Sequence, residues 1–287
     1  MAGVKGRVVV ITGAGGGLGR QHALLFAQQG ARVVVNDLGG NRDGSGFGSD
    51  MADEVVEDIT DAGGEAVANY DDVSTVDGGA NAIATALDAF GQVDIVINNA
   101  GILRDKSFHK MTPEQWDAVL RVHLYGAFNV TRAAWPHMRD QEYGRVVVTT
   151  STSGLFGNFG QANYGAAKMG MVGLVNTLAV EGARYNIMAN AVAPLADTRM
   201  TADVIPDDAR MGLDPAYASP LVVHLCSEEC TDTGVITLAS GGHYARIAYM
   251  QAAGVQFDHV PSVEEIGLAW HEIADLTDSA VGRNPLE

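Results

Sequence analysis

The sequence predicts an α/β protein built on a mostly parallel sheet with helices on both faces. Three observations predict it. Short apolar runs such as Val8-Val9-Val10-Ile11, Val33-Val34-Val35 and Val146-Val147-Val148 read as buried strands. Longer segments with helical periodicity alternate with them, which is the pattern of repeated strand–helix–strand units. Glycines such as Gly30, Gly63-Gly64 and Gly91 close those segments, where a left-handed residue ends a helix.

In chain order, Arg7 to Thr12 is the first strand. A glycine-rich turn follows, then a helix from Arg20 to Gln29 stopped by Gly30. Ala31 to Asn36 is the second strand. Leu38 to Ser49 is a loop with five glycines, long for its place and so mobile or functional. A helix over Asp50 to Asp61, a strand over Glu65 to Asn69, a helix over Val76 to Phe90 and a strand over Val93 to Asn98 continue the alternation. A long helix is expected from Pro113 to Arg139, with Thr112 as its cap and Pro136 bending or ending it. Arg145 to Thr150 is the fifth strand. The helix carrying Tyr164 runs to about Arg184, and Ile187 to Val192 is the sixth strand. Pro194 to Asp214 has mixed signals and suits a lid. Ala216 to Cys226 reads as helix, and Gly234 to Ala239 as a last strand. Beyond Gly242 lies a tail in which Ser262 to Leu276 has helical periodicity and a capping box, Ser262 with Glu265. The expectation is a doubly wound Rossmann-type sheet of about seven strands: one domain over 1–242, with a C-terminal helical extension over 243–287 packed on the domain or on a neighbouring subunit.

Bulk properties narrow the function. The net charge of −17 opposes nucleic acid and anionic membrane as partners. Cys226 and Cys230 are the only cysteines, and two thiols without histidines at ligand spacing make no zinc site, so no metal is expected. No secretory leader follows Met1 and no apolar run reaches the ~18–20 residues of a membrane span. A cytoplasmic protein of a reducing compartment is expected.

The turn Gly13-Ala14-Gly15-Gly16-Gly17-Leu18-Gly19 lies between a strand and a helix. That places main-chain N–H groups and a helix N-terminus at one point, a site for a pyrophosphate. Asp37 ends the second strand, where a carboxylate accepts ribose hydroxyls and repels a 2′-phosphate. No Arg or Lys lies within the turn, so NAD is expected over NADP. Further on, Tyr164 and Lys168 are four apart and share a helix face. An ammonium beside a phenol favours the phenolate, which makes a tyrosine a general base. Ser151 comes thirteen residues earlier, at the C-terminal end of a strand, where open α/β sheets place ligands. Tyr-x-x-x-Lys alone would be an ordinary surface pair, but the chain has only four lysines.

With these residues in view, the chain resembles the short-chain dehydrogenase/reductase family. Thr12 to Gly19 matches its Thr-Gly-x-x-x-Gly-x-Gly loop, Asn98-Asn99-Ala100-Gly101 its segment after the fourth strand, and Ser151, Tyr164 and Lys168 its active site in order and spacing. Within the family, the stretches 33–40, 98–105, 157–168 and 198–201 are similar to the (3R)-hydroxyacyl-CoA dehydrogenase part of type 2 peroxisomal multifunctional enzymes, also known as 17β-hydroxysteroid dehydrogenase type 4. The chain stops where that part would end, which implies a stand-alone version. The resemblance implies Tyr164 as general base and Lys168 as the group that lowers its pKa and holds the nicotinamide ribose. It implies Ser151 as donor to the substrate oxygen, Asp72 and Val73 as flanking the adenine, and Asn99, Ala100 and Gly101 as lying beside the riboses. It also implies cofactor contacts from Ala196, Asp197, Thr198 and Arg199. Two departures stand out. His123 occupies the position of an asparagine that holds a relay water, and Pro194-Leu195 replaces Pro-Gly.

The implied reaction is NAD-linked oxidation of a secondary alcohol. A (3R)-3-hydroxyacyl-CoA is the first choice of substrate, a 17β-hydroxysteroid the second and a 3-oxoacyl-carrier-protein the third. A non-catalytic NAD-binding sensor is the remote alternative. A homodimer or homotetramer, paired through the 113–139 helix and the Tyr164 helix, is the implied assembly.

Overall fold

In the computed structural model, the residues described are 3–198, 200–201 and 212–282. They form two compact units, Met1–Ala245 and Arg246–Glu287. The first opens with β1 (Val8–Thr12), α1 (Gly17–Gln28), β2 (Arg32–Asn36), α2 (Asp50–Asp61), β3 (Glu65–Asn69), α3 (Val76–Phe90) and β4 (Ile95–Asn98). It continues with α4 (Pro113–Leu120), α5 (Gly126–Asp140), β5 (Gly144–Thr149), α6 (Thr152–Phe156), α7 (Ala162–Gly182), β6 (Ile187–Leu195), α8 (Ser219–Leu225), β7 (Ile236–Ser240) and β8 (His243–Ile247).

The sheet order is β3-β2-β1-β4-β5-β6-β7-β8. Every pairing from β3 to β7 is parallel. The order reverses between β1 and β4, so the crevice for a ligand opens at their C-terminal ends. The strands are apolar throughout because both faces are covered: Val8 to Ile11, Val33 to Val35 and Ile95 to Ile97 are fully buried. The doubly wound fold is as expected, with an eighth strand added. Gly241 and Gly242, at φ +51° and +83°, turn the chain from β7 into β8.

The expected 113–139 helix is interrupted. Between α4 and α5, Arg121–Tyr125 forms a π turn. Pro136 does not end α5, which runs to Asp140. Thr112 caps α4 and shares a capping box with Gln115. The expected 216–226 helix is a 3₁₀ turn over Pro215–Ala218 followed by α8. Most of the expected lid, including Arg199, lies outside the described residues.

The second unit holds a two-residue antiparallel pair, β9 (Met250–Gln251) with β10 (Ala280–Val281). Between them runs α9 (Val263–Ile273), started by the Ser262–Glu265 capping box.

Candidate active site

A cavity of about 610 Å³ opens at the C-terminal ends of β1, β2, β4, β5 and β6. Its walls fall into a main-chain half and a side-chain half.

The main-chain half is the turn between β1 and α1. Gly13 has φ +63°, and a Cβ there would stand 2.8 Å from Ala100 Cα. A Cβ on Gly19 would meet Gly13 O at 2.2 Å, so the first turn of α1 packs directly on the loop that precedes it. Gly13, Gly16, Gly17 and Leu18 border the cavity; Gly15 and Gly19 sit behind it. The Asp37 carboxylate props the loop open: Oδ2 accepts from Gly15 N at 2.8 Å and Oδ1 from Gly39 N at 2.8 Å. Asn99 ties the segment after β4 to the same loop, its Nδ2 donating to Thr12 O and Gly13 O at 3.1 Å each. Thr12 Oγ1 accepts from Asn99 N and Ala100 N. Ala100, Gly101, Asp72 and Val73 line the wall, with Asp72 turned back to Ser74 N and Val73 O held by Asn129. The glycine-rich 38–49 loop is not loose: Leu103 N donates to Arg42 O and Arg104 Nε to Asp43 O. Arg42 and Arg104 thereby reach the rim, and Arg121 reaches it from the π turn.

The side-chain half is carried by α7 and β5. Lys168 is buried, and its Nζ donates to Thr149 O at 2.5 Å. Thr150 Oγ1 donates to Lys168 O at 2.8 Å. Ser151 caps α6, its Oγ accepting from Ser153 N at 3.1 Å. Tyr164 lies over Lys168, whose Nζ is 5.4 Å from the phenol ring centre. The N-terminus of α7 is pinned from outside. Buried Asn163 donates to Arg104 O and Gln115 O, and Gln161 Nε2 donates to Asp105 Oδ2 at 2.7 Å. Thr149, Asn163, Asp105 and Gln161 were not singled out from sequence. The only cue was that they flank Ser151 and Tyr164 or follow the Asn98 segment.

In the protein alone the Tyr164 phenol lies above its ordinary value. Burial pushes Tyr164 up to about 12, with the Ser151 hydroxyl opposing that shift and Asp105 adding to it. Burial pushes Lys168 down to about 7. Desolvation disfavours both charged forms. In the protein alone Tyr164 is therefore neutral and Lys168 only partly charged near neutral pH, and positive charge brought into the cavity is what would draw the proton from Tyr164.

His123 borders the cavity from the π turn, its ring 5.2 Å from that of Tyr164 and perpendicular to it. Ala196 and Thr198 border the cavity, whereas Asp197 faces a separate depression with Leu213 and Tyr217. Leu195 is exposed at the end of β6.

Glycines that no side chain can replace, a helix N-terminus and a carboxylate at the next strand end fit a dinucleotide. Ser151, Tyr164 and Lys168 at the other end fit proton transfer to or from an alcohol.

Comparison with known proteins agrees. The sequence profile of the short chain dehydrogenases matches residues 7–209. A short-chain type dehydrogenase/reductase of Mycobacterium tuberculosis is 61% identical over 281 residues, covering 98% of both chains. Peroxisomal multifunctional enzyme type 2 of Mus musculus is 50% identical over 96% of this chain, which spans 37% of that protein. A hydroxyacyl-CoA dehydrogenase of Mycobacterium tuberculosis is 38% identical over 98% of this chain and 91% of its own length. The crystal structure of a short chain dehydrogenase from Mycobacterium avium superposes with a TM-score of 0.83 at 42% identity, covering 94% of this chain and 95% of that one. The chain is an oxidoreductase of the short-chain dehydrogenase/reductase family, whose members bind nicotinamide cofactors on a Rossmann-type fold.

Proposed function

We propose that the protein oxidises the secondary alcohol of a (3R)-3-hydroxyacyl-CoA to the 3-oxoacyl-CoA, with NAD⁺ as acceptor. The observation that carries this reading is that Tyr164 and Lys168 line one cavity whose other wall ends in Asp37, with the Ser151 hydroxyl in hydrogen-bond reach of the Tyr164 phenol just behind the lining. The substrate class rests on the likeness to the multifunctional enzymes and to a hydroxyacyl-CoA dehydrogenase. The choice of NAD rests on Asp37. Each of its oxygens holds one main-chain N–H and keeps a lone pair for a ribose hydroxyl, and its charge opposes a 2′-phosphate. Arg42 borders the same cavity, so NADP binding as tight as that of NAD would hand the choice to the arginine.

In this reading Ser151 Oγ and Tyr164 Oη receive the carbinol oxygen. Tyr164 takes the hydroxyl proton, and in the reverse direction gives it back. The bound nicotinamide supplies the hydride acceptor and a positive ring. Lys168, anchored on Thr149 O, holds its Nζ under the phenol and adds charge to it when protonated. Gly13 and Gly16 keep the cavity wall bare so that a phosphate reaches the main-chain donors.

Incubation with NAD⁺ and each stereoisomer of 3-hydroxybutyryl-CoA or a longer homologue tests the reading. NADH should form from the 3R series only. NADH from estradiol and from no acyl-CoA would make the protein a 17β-hydroxysteroid dehydrogenase instead. Turnover of a 3-oxoacyl-carrier-protein with NADPH would make it a reductase, and cofactor binding without turnover of any alcohol a sensor. We also propose a homodimer or homotetramer paired through α4–α5 and α7, on which Tyr125, Phe128, Met169 and Val180 stand exposed, and a cytoplasmic location. Among the described residues no helix is long and apolar enough to cross a membrane.

A further inference from the structure

The loop at 38–49 is closed on itself, with a narrow neck and an ordered tip. At the neck, Gly48 N donates to Leu38 O at 2.9 Å, and a Cβ on Gly39 would stand 2.2 Å from Gly48 O, so the two arms touch. At the tip, Asn41 N donates to Ser45 O at 2.7 Å and Gly44 N to Asn41 O at 2.9 Å. The Asp43 carboxylate accepts from Ser45 N and Ser45 Oγ. The tip is fastened to the segment after β4. Leu103 N donates to Arg42 O at 3.0 Å, and Arg104 Nε donates to Asp43 O at 2.9 Å. A Cβ on Gly44 would meet Ile102 Cδ1 at 3.0 Å. Residues 43–48 are otherwise exposed. In the sheet β1 lies between β2 and β4. A loop after β2 that reaches the segment after β4 therefore passes across the C-terminal end of β1, where the glycine turn stands. This bridge and the glycine turn line the same cavity.

The bridge carries positive charge to the cavity. Arg42 and Arg104 both border it. Arg104 uses only Nε to hold the loop, and among the described residues its two terminal nitrogens have no partner. The glycine turn offers main-chain N–H groups but no charged side chain. Asp37, Asp71 and Asp72 border the same cavity, and the chain carries a net −17. A diphosphate at the turn would sit in a repulsive field unless cations stood close to it. Guanidinium is the group whose fork matches phosphate oxygens. We propose that the 38–49 loop is a latched flap, and that its Arg42 together with Arg104 forms a second half of the diphosphate site, opposite the glycine turn. The neck at Gly39 and Gly48 is the hinge. The two bonds to Leu103 and Arg104 are the latch, and a nicotinamide dinucleotide enters and leaves when the latch opens. The proposal takes the place of the diphosphate from the glycine turn, and it does not depend on which alcohol is oxidised.

Release of NADH, followed by stopped-flow fluorescence with excess NAD⁺ as the displacing ligand, tests it, together with affinity at low and high salt and melting curves to confirm folding. Arg104→Met removes the charge and one latch bond but leaves the main-chain oxygen that holds Asn163. It should speed release by roughly ten- to a hundredfold, the scale of one lost hydrogen bond to a charged group. Gly44→Val keeps both arginines but crowds Ile102 and puts a β-branched residue at φ +83°. It should speed release by about tenfold, the scale of the two latch bonds. If Gly44→Val fails to fold, Gly44→Ala carries the same test with a single added carbon. Arg42→Gln keeps the latch, which uses that residue's main-chain oxygen. It should weaken NADH and NADPH alike by roughly tenfold and flatten the salt dependence of both. Three results would overturn the proposal. The first is wild-type release in both Arg104→Met and the Gly44 variant. The second is Arg42→Gln weakening NADPH alone, which would give that arginine to a 2′-phosphate. The third is a raised KM for an acyl-CoA in the arginine variants with NADH affinity and release untouched, which would give both arginines to phosphates of the substrate. Normal NADH binding in Gly19→Val would instead remove the placement of the diphosphate beneath the proposal.

Discussion

The two halves of the cavity solve different physical problems. The wall from Gly13 to Asp37 is built from main chain, and its donors are oriented by backbone geometry alone. It needs small residues and one carboxylate already held by two N–H groups. The wall from Ser151 to Lys168 is built from buried ionisable side chains. Water has been removed from a phenol, an amine and an imidazole, and burial shifts each of them away from its charged form. The first wall is ready for an anion as it stands. The second has lost part of its charge to burial, and under the proposed function positive charge arriving with the cofactor would favour the phenolate.

Removing the phenol oxygen separates the halves most sharply. Tyr164→Phe should lower kcat by at least about a thousandfold, because the group that exchanges the proton is gone. NADH binding, carried by the other wall, should stay near wild type when followed by fluorescence titration. Turnover within tenfold of wild type would end the assignment of Tyr164 as base.

The converse change attacks the main-chain wall. Gly19→Val puts side-chain atoms where Gly13 O stands 2.2 Å from the built Cβ. The loop or the helix must move, at a cost of roughly 1–3 kcal/mol of stability. NADH affinity should fall by about a hundredfold or more, on the measure that one lost main-chain phosphate donor is worth about 1.5–3 kcal/mol and several move together. A variant that melts earlier yet binds NADH normally would show that the loop tolerates displacement.

The smallest effect concerns pH and the protein alone. Lys168 has its pKa lowered from 10.5 to about 7 on folding, so the unfolded chain holds more protons between those values. Stability then rises with pH through that window and is lost as pH falls toward 7. Tyr164, raised to about 12, works the other way, but only above pH 10. Between pH 7 and 9 the wild type should gain about 2 kcal/mol relative to Lys168→Met in urea titrations, a figure below the full ~1.4 kcal/mol per unit to allow for relaxation. Parallel pH curves for the two proteins would mean that Lys168 is charged in its native seat.

What was legible in the sequence follows the same division. The glycine turn, Asp37 and the Ser151, Tyr164 and Lys168 spacing are local patterns, and short-range backbone rules decode them. The pKa directions were not legible, because nearness of Lys168 to Tyr164 along a helix says nothing about how much water is removed from both. The Gly101–His123 contact joins positions 22 apart through the fold. β8 escaped notice although Gly241-Gly242 is a hairpin signal, because His243 to Ile247 is half polar and has an exposed edge. Pro136 does not end the helix as one of the two expected outcomes had it; it sits inside α5, between the fully buried Ala134 and Met138.

The π turn at Arg121–Tyr125 has a consequence for phase. Val119, His123 and Ala127 are all buried, at successive steps of four. On an ideal α-helix, at about 100° per residue, two such steps would carry the stripe about 80° away from the core. The wide turn underwinds the chain and brings the stripe back. A chain one residue shorter between Val119 and Ala127 would keep its buried stripe on a plain α-helix and have no need of the detour. The imidazole that faces the reactive pair stands on that surplus residue's turn, so a single-codon deletion there would preserve the packing of α5 and change what the helix shows to the cavity.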